Sequence, residues 1–253
     1  MALYFNTDKA LNLYKQKGGT TQFIGSLETI LKNAKKDKNI NDVRELAYLL
    51  ATAKKESDYS LQRWESDYLC GRVGQKYTDK PCSSAINYYC STQGGKKNYC
   101  IDTDELDPRG LPYFGRGLIN LTSKWNYDKY GRKIGVGDKL VNNPDLALEP
   151  TISYRIATSF MNDKKGSSKK SVFDYVKEGD FTKARRLVNG GSKGLLDINK
   201  EYNKWIEVLL NSDLRKGKIK LTATQVAVYS SIIITFVAIG FVAWKYSRKN
   251  IKG

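Results

Sequence analysis

No histidine occurs anywhere in the 253 residues of the chain. Its absence excludes Ser-His-Asp and Cys-His catalysis and removes the commonest metal ligand, so any chemistry must run on carboxylates, hydroxyls, amides or lysine. Cysteine is confined to one stretch, where Cys70, Cys82, Cys90 and Cys100 lack the short paired spacing of a zinc site. Disulfides fit that stretch better than a metal, with all three connectivities open. Four reduced thiols are the alternative: the N-terminus has neither the basic n-region nor the apolar h-region of a secretory signal, so an oxidising compartment is not guaranteed.

Acids are the scarcer charge, and the net charge is +17. Residues after position 220 hold four bases and no acid, which leaves the preceding body with 39 bases against 26 acids. A body that basic is drawn to polyanions, among which charge alone does not choose. Nucleic acid is not expected as a specific partner, because no groove-reading motif accompanies the charge. The runs Lys35-Lys36-Asp37-Lys38 and Lys164-Lys165-Gly-Ser-Ser-Lys169-Lys170 read as solvated loops.

Charge is missing altogether from Leu221 to Trp244. That run is long enough to cross a hydrocarbon core about 30 Å thick at roughly 1.5 Å per residue, and Trp244 and Tyr246 sit at its end beside bases, as an interfacial belt would. The expectation is a single C-terminal membrane anchor. Bases flank it on both sides, so its orientation is not readable.

With 40% apolar residues, the rest of the chain can bury a core. The apolar pattern is mainly helical: 22–35, 42–55, 123–130, 150–162, 171–177, 181–188 and 199–211 read as helices. In the second, Val43, Leu46, Ala47 and Leu50 recur at helical spacing, and Asn41 or Asp42 with Glu45 supplies a capping box. Residues 68–107 show no sustained period and read as a loop-rich insert. The domain expectation is a catalytic body over 1–210, a basic linker over 211–220, the anchor over 221–244 and a basic tail over 245–253.

Glu56 continues the stripe of Leu49 and Ala53 rather than the solvent face of its helix. Partial burial beside apolar neighbours is the setting in which a carboxyl keeps its proton near neutrality, as a general acid requires. Glu65 follows nine residues later among Trp64 and Tyr68, rings that could floor a sugar subsite. A glycine-bracketed, amide-bearing turn then runs from Leu111 to Thr122. Two carboxylates and such a wall suggest glycoside hydrolysis.

Five blocks carry a resemblance. Ala47-Tyr-Leu-Leu-Ala-Thr-Ala-Lys-Lys-Glu56-Ser, Pro112-Tyr-Phe-Gly-Arg-Gly-Leu-Ile-Asn-Leu-Thr122, Asn126-Tyr127, Asn143-Pro-Asp-Leu-Ala147 and Arg186-Leu-Val-Asn-Gly-Gly191 resemble, in order, glycoside hydrolase family 19, and their spacing looks closest to its phage endolysin branch. The resemblance implies a mainly helical, lysozyme-like two-lobed fold with the cysteine-bearing insert added, and the anchor helix beyond it. It implies Glu56 as general acid, Glu65 as the base that activates water, and Thr122 as a holder of that water. Tyr113, Arg116, Asn120, Asn126 and Asn189 match substrate-groove positions. The implied reaction is single displacement with inversion, the carboxyls standing about 6.5 to 9.5 Å apart, without metal or organic cofactor.

The chain also departs from the family pattern. Lys55 and Ser57 replace the His and Thr that flank the acid, Asn120 replaces a Gln, and Ile198 stands where the family commonly has an Arg after the Asn-Gly-Gly block. The functional expectation is a membrane-anchored murein hydrolase of bacteriophage origin. Its partners would be peptidoglycan glycan strands, the lipid membrane through 221–244, and virion capsid or membrane proteins. Its place would be a virion membrane or the host inner membrane. A chitinase of the same fold and a glycan-binding virion protein with a dead site are the alternatives.

Overall fold

The computed structural model describes residues 2–59, 106–110, 113 and 115–214. Glu65, the four cysteines, all but the end of the 68–107 insert and the expected anchor over 221–244 lie outside the described residues. Among those described, no helix is long and apolar enough to cross a membrane. The expectation of a transmembrane helix, and with it a membrane partner and membrane localisation, is corrected: it rested on hydropathy alone and has no structural support.

The described body is helical. α1 (Thr7–Gln16) and α2 (Ile24–Ala34) precede the long α3 (Val43–Ser57). Then come α4 (Lys124–Lys133), the short α5 (Lys139–Asn142), a 3-10 turn over Pro144–Leu148, α6 (Pro150–Asn162), α7 (Val172–Glu178), α8 (Phe181–Asn189) and α9 (Leu195–Leu210).

α3 forms because its ends and its faces are both specified. The Asp42 side chain accepts from the Arg44 amide, and Glu45 reaches back to the Asp42 amide, so two of the orphan donors at the helix start are satisfied. Every residue from Val43 to Ala53 is buried, which makes α3 the central helix of the core. Its main partner is α9, whose Ile198, Tyr202, Trp205 and Leu209 recur at helical spacing and are buried. Each such side chain removed from water contributes roughly 1.5 to 3 kcal/mol.

The C-terminal end of α3 is pinned by a buried polar network. Asp58 takes a left-handed conformation that ends the helix, and Tyr59 turns into the core. The Trp205 indole donates to the Tyr59 hydroxyl at 2.8 Å, while the Tyr59 and Tyr14 hydroxyls donate to Glu201 Oε1 at 3.1 and 2.6 Å. Tyr14 stacks on Trp205 with centroids 4.4 Å apart. Burial, and then the Glu201 carboxylate, push the Tyr14 phenol far above its ordinary range, so it stays a neutral donor. This network ties α1, α3 and α9 together just behind the helix end that carries Glu56.

Candidate functional site

Glu56 sits in the last turn of α3 with its side chain one-fifth exposed. Three side chains fix that turn. The Ser57 hydroxyl donates to the carbonyls of Ala53 at 3.0 Å and Leu118 at 3.3 Å. The Asn120 side-chain amide donates to the Glu56 carbonyl at 2.8 Å. The third reaches the carboxyl itself: Arg185 Nη1 donates to Glu56 Oε1 at 2.5 Å. No hydrogen bond among the described residues engages Oε2, which leaves it available to a bound molecule.

Arg185 is the residue that sequence reasoning missed. It is buried, and its Nε donates to the Lys193 carbonyl at 2.9 Å, so the guanidinium is held on one side by the loop after α8 and on the other by Glu56. A signal existed: on α8, Phe181, Ala184, Arg185 and Val188 share one face, and a cation on a core-facing stripe demands a counterion. The buried Tyr48 phenol lies in the same field. Burial raises its pKa, with Arg185 opposing and Glu56 adding to the shift.

The two departures beside the acid acquire structural explanations. The Lys55 ammonium lies 2.6 Å from Asp197, so it ties α3 to α9 rather than serving Glu56. Ile198 is wholly buried in the core, and the cation at Glu56 comes from Arg185 instead.

The turn from Arg116 to Leu121 is closed by an antiparallel bridge between those two residues. Gly117 takes a left-handed φ of 72°, and a methyl there would collide with the Ser153 hydroxyl and the Ala147 carbonyl. Ser153 uses that closeness to accept from the Leu118 amide at 2.9 Å. Asn120 also has positive φ, which its short polar side chain tolerates. From Asn120 a chain of hydrogen bonds runs onward: the Thr122 hydroxyl donates to the Asn120 carbonyl, and the Asn126 amide donates to the Thr122 carbonyl, each at 2.8 Å. Asn120, Thr122 and Asn126 are thereby linked to one another, and Asn120 joins them to the Glu56 backbone.

Arg116 and Tyr113 are placed differently from a groove lining. Arg116 is 1% exposed and is taken up by Asp145 at 2.8 Å and the Tyr127 hydroxyl at 3.1 Å. Arg109 holds Asp145 from the other side and also pairs with Asp107. The hydroxyl of Tyr113 donates to the Val141 carbonyl at 2.9 Å, and its ring packs 5.1 Å from that of Tyr127. Both residues brace the turn from beneath. Asn189 is exposed, and its side chain binds the Lys193 carbonyl and the Gly191 amide, shaping the same loop that Arg185 grips.

Residues 70–189 match the family model described as chitinase class I, of glycoside hydrolase family 19. An acidic endochitinase of Solanum chilense is 57% identical over 49 residues, which is 19% of each chain. Chitinase 11 of Oryza sativa subsp. japonica is 34% identical over 110 residues, covering 38% of this chain and 41% of its own length. The matched part thus spans between about a fifth and two fifths of these curated relatives. Among solved structures, chitinase C from Streptomyces griseus HUT6037 has the same fold, with a TM-score of 0.52 and 16% identity over 82% of this chain and 93% of that one.

These relatives overturn the expected phage endolysin branch, together with its peptidoglycan substrate, virion partners and virion-membrane location. The matched proteins are plant chitinases, and the matched structure is a Streptomyces chitinase. The motifs alone do not make that distinction. Residues 70–189 thus resemble a chitinase class I family, and the chain shares the fold of chitinase C.

Proposed function

We propose that the chain hydrolyses chitin, the β-1,4 polymer of N-acetylglucosamine, by single displacement with inversion. The observation that carries this reading is the state of Glu56. It is a partly exposed carboxyl at the end of a rigid buried helix, with one oxygen held by Arg185 and its backbone clamped by Asn120. Preorganisation of this kind is what a proton donor needs, since the donor must lie within hydrogen-bond reach of the leaving oxygen.

In this mechanism Glu56 gives its proton to the glycosidic oxygen from Oε2, while Arg185 keeps Oε1 fixed and faces the negative charge left behind. Glu65 takes the proton of the attacking water from the opposite face of the sugar. The Thr122 hydroxyl spends its proton on the Asn120 carbonyl, so its lone pairs face outward as an acceptor for that water. Asn126 and Asn189 contribute through the backbone they hold, and Arg116 and Tyr113 through bracing the turn.

Hydrolysis of chitohexaose by the full chain, beside purified murein sacculi, tests the reading. Release of shorter chitin oligomers by the wild type and its loss in Glu56→Gln are expected. Cleavage of sacculi with chitohexaose left intact would overturn it.

A further inference from the structure

Trp125, in the first turn of α4, is 64% exposed, more than any other aromatic ring among the described residues. Tryptophan is highly buried on average, so an indole left in water is conspicuous. A single exposed ring nonetheless needs no explanation by itself. Two observations set this one apart.

The first is that the ring is held without being covered. The Lys129 ammonium lies over it, 4.7 Å from the centroid, and is itself anchored by the Asp163 carboxylate at 2.5 Å. A ring restrained in this way loses little freedom when a ligand settles on its other face.

The second is strain in the backbone that presents it. Ser123, the residue before α4, holds φ 73° and ψ 140°, a conformation that glycine alone visits freely. Its amide donates to the Tyr113 carbonyl at 3.1 Å, and its hydroxyl accepts from the Asn126 side chain at 3.3 Å. Strain of this kind persists only where the surroundings enforce it, and it concentrates where ligands are gripped. Here it sets the direction in which the chain leaves Thr122, and so the place of Trp125.

That place is tied to the proton donor. The hydrogen bonds that start at the Glu56 carbonyl and pass through Asn120 and Thr122 end on Asn126, the residue after Trp125. The positions that share the outer face with the indole, Asp128, Lys129 and Arg132, are polar. An isolated ring among polar groups does not make the broad apolar patch that a protein partner would cover. It suits a ligand with an apolar face and a polar rim. A pyranose is such a ligand, with C–H groups on its face and hydroxyl and N-acetyl groups at its edge.

Resting on the chitin reading above, we propose that Trp125 is a sugar-binding platform beyond the point of cleavage, on which one N-acetylglucosamine ring of the bound strand stacks. It grips the strand and takes no part in the chemical step.

Kinetics on chitohexaose with the full chain, and calorimetry with the same sugar on Glu56→Gln, test this. Trp125→Ala should raise KM roughly tenfold with kcat nearly unchanged, and Glu56→Gln/Trp125→Ala should bind chitohexaose roughly tenfold more weakly than Glu56→Gln. Trp125→Tyr, which keeps a flat ring, should recover most of both losses. The thermal midpoint of Trp125→Ala should match the wild type, because the indole is mostly in water. Unchanged KM and affinity in Trp125→Ala, a lowered midpoint with KM unchanged, or a Trp125→Tyr no better than Trp125→Ala would each overturn the proposal. A wild type that neither binds nor cuts chitohexaose removes the chitin reading itself, whereas a wild type that cuts it beside an indifferent Trp125→Ala removes only the platform.

Discussion

Removing the Arg185 guanidinium should cost both stability and turnover, and the two losses can be separated. Arg185→Ala leaves the Glu56 carboxylate without the cation 2.5 Å away and the Lys193 carbonyl without its Nε donor. Breaking a buried pair by deleting one member costs about 3 to 5 kcal/mol. The Glu56 side chain keeps 20% exposure and Arg185 only 4%, so water recovers part of that, and a loss of roughly 2 to 3 kcal/mol is expected. Urea unfolding of the wild type, Arg185→Ala, Glu56→Gln and the double variant closes a cycle whose coupling should be about 1 to 2 kcal/mol. At a temperature where all four remain folded, kcat on chitohexaose should fall by on the order of a hundredfold in Arg185→Ala with KM little changed, because the proton donor loses its direction rather than its substrate. Arg185→Lys should recover stability better than turnover, since an ammonium keeps the charge and loses the fork that holds Glu56 and Lys193 at once. A coupling indistinguishable from zero, or full activity in Arg185→Ala, would refute the reasoning.

Two further outcomes follow from the geometry. Gly117→Ala should destabilise by roughly 3 kcal/mol or more, because the left-handed backbone and the close Ser153 and Ala147 atoms leave no room for a methyl; an unchanged urea midpoint would contradict the packing described. Burial, assisted by Lys129 and Lys133, pushes the Lys165 ammonium down to about 8 from its ordinary 10.5, against the opposing effect of Asp163. Between those two pH values the unfolded chain binds more protons than the folded one, so Lys165 makes stability rise with pH through that window and not below it. The rise should be present in the wild type and missing in Lys165→Met, and identical slopes for the two would refute it.

Some of this was legible in the sequence because it is local. Asp42 and Glu45 announce the start of α3 within four residues, and the stripe of Leu49, Ala53 and Glu56 announces which way the acid faces. The Gly-Arg-Gly turn is equally local, since only glycine suits Gly117. α1 was not expected, because Thr7–Gln16 interleaves its few apolar positions with lysines and its stability comes from Tyr14 stacking on Trp205, far along the chain. The Glu56–Arg185 pair spans 129 positions, so no spacing rule reaches it. Arg116 was expected to face substrate because a motif records identity and not direction; burial against Asp145 turns it into a brace. The choice between chitin and murein was illegible for a similar reason, since the identities of Glu56, Asn120 and Thr122 do not separate the two polymers.

The most direct test of Glu56 as proton donor compares substrates that differ only in their need for a proton. Glu56→Gln should lower turnover of chitohexaose by on the order of a thousandfold, yet lower release of dinitrophenol from a dinitrophenyl chitotrioside only slightly, because that leaving group departs unprotonated. Equal losses on both substrates would contradict the account, for the carboxyl would then be serving the fold or the sugar and not the departing oxygen.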